Sequence, residues 1–323
     1  MSFPWTHLQN RGRDLPKPRT GPLVWSGSDF ESEASYTLRF DKNDMDEIDD
    51  ALGKFLSAES IHKGCGFVVF RGIDPSRYSI LQNVIIFLGL AGYVGDKRGL
   101  QDKSGNVLAL QVRQGVESGG CTSLSSAAAV LNHLLLHEPS LAETLLRPDW
   151  PVQIYGEQSR YYLAPVFAIR DGNLLASMDP HRLGPHPASP DEDIPPLTVT
   201  QRLALNRVAE IARQTELKLK LETGDLVFIN NWAVLHRREA YQDDDCPSRH
   251  LVRLWLRNTQ LGWSIPQQML PPWRAAFEDE PTVEMMYPLH PPDTYTVPRY
   301  ATGSAAFVME DARRTDEPEG REA

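Results

Sequence analysis

A chain of 323 residues with a net charge of −10 lacks the basic face that nucleic-acid binding requires, and 41% apolar with 24% charged residues is the composition of an ordinary globular protein. Three scattered cysteines (Cys65, Cys121, Cys246) exclude a disulfide framework and point to reduced thiols, hence to a cytoplasmic protein. The first twenty residues lack the apolar core of a signal peptide, and the longest apolar run, 84–94, contains Gly89 and Gly92 and is too short to span a bilayer, so no membrane partner is expected.

Residues 1–40 are polar and turn-rich, with Pro16, Pro18 and Pro22, and are expected to wrap the surface as an N-terminal extension. Met45, Ile48, Leu52 and Phe55 recur at helical spacing and predict a short helix over 44–56. Phe67-Val68-Val69-Phe70 is a strand ending at Arg71-Gly72, and 78–90 reads as a mostly apolar, buried helix. A polar, glycine-rich loop, GYVGDKRGLQDKSGN (92–106), leads to a strand over 107–111. Gly119-Gly120-Cys121-Thr122 reads as a tight turn whose Thr122 hydroxyl can donate to a carboxylate, although a plain surface turn explains the motif alone equally well. Ser125 or Ser126 caps a helix whose Ala127, Val130, Leu131, Leu134 and Leu135 form one face and which Pro139 closes. His133 and His137 on it have the spacing of a zinc pair, but Leu134 stands where a zincin has its Glu, so they read as solvent-flank histidines.

Further on, 161–169 and 174–178 predict a hairpin around Asp171-Gly172-Asn173. HRLGPHPASPDEDIPP (181–196) is a proline-rich acidic loop, a lid by position and a bland connection by composition. Thr198 and Gln201 make a capping box for a helix with Leu205, Val208, Ala209 and Ala212 on one face. Leu217, Leu219 and Leu221 alternate with Lys218 and Lys220 as a half-buried strand, Glu222 to Asp225 is turn chemistry, and 226–229 is a more buried strand that Asn230-Asn231 breaks. His236 follows, and 249–257 predicts a third strand on which Arg249 and Arg253 share a face. Trp263, Trp273 and several prolines lead into a tail, of which 311–323 has no apolar anchors and predicts disorder. No internal repeat, GxSxG, P-loop or dinucleotide fingerprint occurs.

Taken together, GDLVFINN (224–231), His236 in NNWAVLH, and RHLVRLWLR (249–257) resemble the C-terminal half of the TauD/TfdA (taurine dioxygenase, clavaminate synthase-like) Fe(II)/2-oxoglutarate oxygenases, most closely a fungal branch. The resemblance runs from about Gly66 to Trp273. It implies a mainly β fold with flanking helices, a double-stranded β-helix or jelly roll, over 41–275, with 276–323 as a C-terminal extension. It also implies Fe(II) and 2-oxoglutarate as cofactors, a small-molecule substrate that is oxidised, His236 as a metal ligand, and Thr122, Arg249 and Arg253 on the 2-oxoglutarate. The chemistry is coherent: two imidazoles and a carboxylate on one face of iron leave three positions open, and an Arg fork matches a carboxylate.

The same family places its first two ligands in a His-x-Asp/Glu motif shortly before a strand like 107–111. None of the nine histidines here is followed two residues later by Asp or Glu. Gln101-Asp102-Lys103 is no substitute, since a Lys repels a metal, and His62-Lys63-Gly64 and His186-Pro187-Ala188 lie on the wrong sides of that position. A block of several tens of residues is read as missing at 106/107, so the jelly roll is expected to be incomplete there and less stable than its relatives. No catalytic side chain is assigned. Three readings stand: an Fe(II)/2-oxoglutarate-dependent dioxygenase of a small molecule, a catalytically inactive family member acting as a binding or partner subunit, or a truncated isoform of the enzyme.

Overall fold

Short apolar runs with both faces buried build the largest sheet. The computed structural model describes residues 15–40, 59–99, 106–114, 121–154, 160–185, 193–238 and 250–271. The helix expected over 44–56, the tail beyond 271, and Arg249 lie outside them. In chain order the first half contains β1 (Thr37–Arg39), α1 (Glu59–His62), β2 (Phe67–Arg71), α2 (Ile80–Val94), β3 (Lys97–Arg98), β4 (Val107–Gln114), β5 (Thr122–Ser126), α3 (Ala127–His137) and α4 (Pro139–Leu146). Then come β6 (Trp150–Ile154), β7 (Arg160–Ala164), β8 (Phe167–Arg170), β9 (Asn173–Ala176), α5 (Val199–Gln214), β10 (Leu217–Leu219), β11 (Leu226–Asn230), β12 (Val234–Arg238) and β13 (His250–Arg257).

Six strands form the major sheet in the order β1-β2-β11-β4-β13-β3, and β10-β5-β12 form a minor sheet. Strand alternation divides the major sheet between two cores. Phe67, Val69, Leu108, Val227 and Ile229 enter a core shared with Leu124, Leu219 and Val234 of the minor sheet. Val68, Phe70, Val107, Ala109, Leu226, Phe228, Leu254 and Leu256 point the other way, onto Phe87, Leu90, Ala91 and Val94 of α2. Two sheets thus face each other across one core with helices outside, the mainly β jelly-roll layout expected from the sequence. Each fully buried Phe or Leu contributes about 1.5–3 kcal/mol to this arrangement.

Several local expectations are met. Ser126, rather than Ser125, caps α3, its hydroxyl accepting from the Ala129 amide at 3.0 Å. The Thr198–Gln201 capping box opens α5, which buries Leu205, Val208, Ala209 and Ala212. Asp171 and Gly172 both have positive φ (48° and 78°), the type I′ geometry that a two-residue hairpin needs between β8 and β9. His133 and His137 meet on the outer flank of α3 with ring centroids 4.6 Å apart and planes tilted by 50°.

Other expectations need correction. The strand predicted over 161–169 is two, β7 and β8, because Pro165 has no amide for a ladder. The helix predicted over 78–90 runs Ile80–Val94, and it covers the sheet with one face only: Leu81 is 55% and Ile85 58% exposed. Part of the segment read as a loop over 92–106 therefore belongs to α2 and β3. Residues 1–40 do more than wrap the surface where they are described: Trp25 is buried, and β1 pairs in parallel with β2.

At one end of the sandwich Arg71 lies in a buried ion pair. Its Nε and Nη2 donate to both oxygens of Asp225, 2.7 Å at the shortest, and Glu33 and Glu222 each lie 2.9 Å from Nη1. The neighbouring turn requires a glycine: Gly224 has φ +97°, and a Cβ there would lie 1.9 Å from the Ile73 carbonyl. Among the described residues no helix is long and apolar enough to cross a membrane.

Candidate functional site

The interior between the sheets is where the sequence-nominated residues gather. β5 and β12 pair antiparallel, with His236 opposite Leu124 and Arg238 opposite Thr122. Because strand side chains alternate, Thr122, Leu124, Val234 and His236 share a face. That face looks toward the major sheet: a Cβ added to Gly66, at the start of β2, would meet Val234 Cγ2 at 2.8 Å. Arg253 comes from the opposite wall. It sits across from Leu110 on β4, and its neighbour by alternation, Trp255, packs against the shared core.

His236 is 6% exposed, and neither Nδ1 nor Nε2 makes a well-formed hydrogen bond. Burial lowers its pKa to about 4, the Arg253 charge pushes in the same direction, and the Val234 carbonyl opposes both weakly. The imidazole is therefore neutral at physiological pH, with a lone pair free for a metal or a hydrogen bond. Its orientation is set from behind. Arg237 faces the other way, and its guanidinium meets Glu216 at 2.8–3.0 Å with both side chains largely buried. A one-residue slip of β12 would turn His236 out and Arg237 in, and the Glu216 pair opposes that slip.

Thr122 is buried and is the first residue of β5, whereas the sequence placed it in a turn; Gly119 and Gly120 lie outside the described residues. Arg249 also lies outside them, one position before β13. So the structure brings Thr122, His236 and Arg253 to one interior. Among the described residues no group of three His, Cys, Asp or Glu side chains converges as a metal site would require. Sequence reasoning missed Glu216, whose signal was an acid immediately before an alternating strand. It also missed two buried polar residues at the other end of the sheet, His62 and Asn106.

Residues 100–255 match the family model described as taurine catabolism dioxygenase TauD, TfdA family. The chain is similar to the taurine hydroxylase-like protein SAT17 of Stachybotrys chartarum, 28% identical over 76% of this chain and 81% of that protein. It is also similar to the FR-33289 synthase of Streptomyces rubellomurinus, 24% identical over 79% of this chain and 94% of that one. Among solved structures it resembles an asparagine oxygenase in complex with Fe(II), 2S,3S-3-hydroxyasparagine and succinate, with a TM-score of 0.47 and 13% identity over 69% of this chain and 93% of that chain. The alignment with the fungal protein has 315 positions, whereas 76% of 323 is about 245 residues, so about 70 positions fall opposite no residue of this chain. With the bacterial protein the alignment has 335 positions against about 255 residues (79% of 323), a surplus of about 80.

Proposed function

We propose that this chain is an Fe(II)/2-oxoglutarate-dependent oxygenase of the TauD/TfdA type that oxidises a small molecule, and that its interior site holds the carboxylate of 2-oxoglutarate with Arg253 and Thr122, beside His236 as the metal-facing residue. Fe(II) and 2-oxoglutarate are the family's cofactors. The observation that carries the proposal is a neutral, buried His236 held only weakly by the Val234 carbonyl and close enough to Arg253 to feel its charge. A half-buried Arg attracts a carboxylate and can meet both its oxygens, and a Thr hydroxyl on the facing wall adds a donor. Arg249, one residue before β13, belongs to the same proposal as a second cation.

Iron fits less well than 2-oxoglutarate. Among the described residues His236 is one donor, a metal held by one donor has no fixed geometry, and the Arg253 charge repels a dication. The carboxylate half of the site can be tested without iron. Calorimetric titration of the whole chain with 2-oxoglutarate is expected to show one site, weakened about tenfold or more by Arg253→Ala and partly kept by Arg253→Lys. Equal binding by wild type and Arg253→Ala would remove the assignment.

A further inference from the structure

α2 covers the second core with one face and leaves the other uncovered among the described residues. Phe87, Leu90, Ala91 and Val94 pack on the major sheet. At about 3.6 residues per turn, the opposite face carries Leu81, Ile85, Leu88, Gly89 and Gly92 and is apolar from end to end. Leu81 and Ile85 are more than half exposed, and Tyr93 stands beside them at 47%. None of the 15 residues of α2 is charged, and its two amide side chains are engaged elsewhere. Asn83 is buried, donating to the carbonyls of Pro75, Tyr78 and Ser79, and Gln82 accepts from the Ser79 amide as half of the capping box. A surface helix ordinarily carries charge on its outer face, so this one is built for something other than water.

The two glycines say what shape that something has. Glycine inside a helix is disfavoured against alanine because it gives up more backbone freedom on folding. Among the described residues a Cβ at Gly89 or Gly92 would meet nothing within 4 Å, so no neighbour there calls for a missing side chain. Two notches on an apolar face permit close approach from outside. The matching knobs lie on the same stripe. In an antiparallel pairing of two α2 helices about a two-fold axis level with Phe87, Leu81 of each copy falls over Gly92 of the partner subunit, and Ile85 over Gly89 of the partner subunit. The same pairing opposes unlike charges. Exposed Asp74 and Arg77 stand just before α2, and exposed Asp96 and Lys97 just after it. Each end therefore brings an acid and a base to a base and an acid, and the two helix dipoles oppose as well.

We propose that α2 is the interface of a homodimer: a second copy of this chain docks its own α2, antiparallel, on the stripe of Leu81, Ile85, Gly89 and Gly92. A lipid surface fits less well, because the chain has a net charge of −10 and no basic side chain lies along the helix to meet anionic headgroups. A helix of 15 residues is about 22 Å long, and a contact of that length falls short of the about 1,200 Å² of a standard interface. The dimer is therefore a reversible one, with a micromolar Kd. The stripe lies beyond the major sheet from His236, Thr122 and Arg253, so docking leaves that interior open, and the inference does not depend on what the interior binds.

Sedimentation velocity of the whole chain between about 1 and about 100 μM is expected to show a reversible monomer–dimer shift. Ile85→Lys, at a position 58% exposed, should weaken the dimer about tenfold or more without lowering Tm. Gly89→Leu is the second variant. It fills a notch with a better helix former, so it should keep or raise Tm while also weakening the dimer. Loss of association from a fold at least as stable is not a folding defect. Flotation with phosphatidylcholine vesicles, run on the same samples, offers the stripe a bilayer instead. A chain that stays monomeric throughout overturns the proposal, whether lipid or another part of the chain then covers the stripe. A dimer that survives either substitution in a folded chain overturns it too, because its interface lies elsewhere.

Discussion

At the residue scale, the buried histidines are the most informative side chains and were the hardest to judge from sequence. Sequence context singled out His236 because a buried strand and a polar turn precede it, and the structure gives it an enclosed, neutral environment. Nothing around His62 distinguished it: it ends a four-residue helix and sits beside Lys63, a pattern that normally means solvent. Only the tertiary fold buries it, and burial alone lowers its pKa to about 4. The pH dependence follows from that shift. The unfolded chain takes up a proton on His62 near pH 6.5, while the folded chain resists it until about 4, so the stability contributed by the neutral form is complete above 6.5 and is lost as pH falls toward 4. The loss from this residue approaches about 3 kcal/mol. Urea unfolding between pH 7.5 and 4 should show the wild type losing about 3 kcal/mol relative to His62→Leu as the pH falls. Parallel curves would mean that His62 is already paired or solvated.

At the element scale, strand patterns were readable and strand partners were not. β10, β11 and β13 were legible because alternation and unbroken apolar runs report a residue's own burial. Which strand lies beside which depends on contacts more than 90 residues apart, such as β2 with β11, and no local pattern encodes them. The α2 face shows the limit from the other side: a helix apolar nearly all round reads as buried, yet Leu81 and Ile85 stand in solvent. For the site the decisive element is β12, whose facing depends on Glu216 gripping Arg237. Glu216→Ala is expected to cost about 2 kcal/mol, since it leaves a largely enclosed guanidinium without its carboxylate. Because Glu216 lies behind the strand, away from the His236 face, it acts by positioning. The variant should therefore weaken 2-oxoglutarate binding even at temperatures where it is fully folded, with Glu216→Gln intermediate. If affinity is unchanged while stability drops, the pair only holds the fold together.

At the scale of the whole molecule, the chain is a jelly roll whose two facing walls are unequally built. The wall that carries His236 and Thr122 is closed by β10 and by α5 packed beyond it, while the wall that carries Arg253 ends in β3, two exposed residues long. The sequence already showed that a His-x-Asp/Glu motif was absent; the coordinates add that only the eight residues 99–106 join β3 to β4 and that Asn106 and His62 are buried with unpaired side-chain atoms. A sheet edge that ends so soon leaves backbone groups to water and removes apolar area from the core. Both effects subtract from stability without disturbing the second core under α2, which is intact. The expected outcome in a thermal melt is a Tm below that of the fungal relative measured in the same buffer, by about 5–10 °C, if the deficit is about 3 kcal/mol. The deficit should also be local: hydrogen exchange ought to be fastest at the amides of β3, the short edge strand, and slowest in β11 and β4, which are paired on both sides. A melt as high and as cooperative as the relative's, with β3 protected like β11, would mean that the short crossover closes the sheet as well as a longer one does.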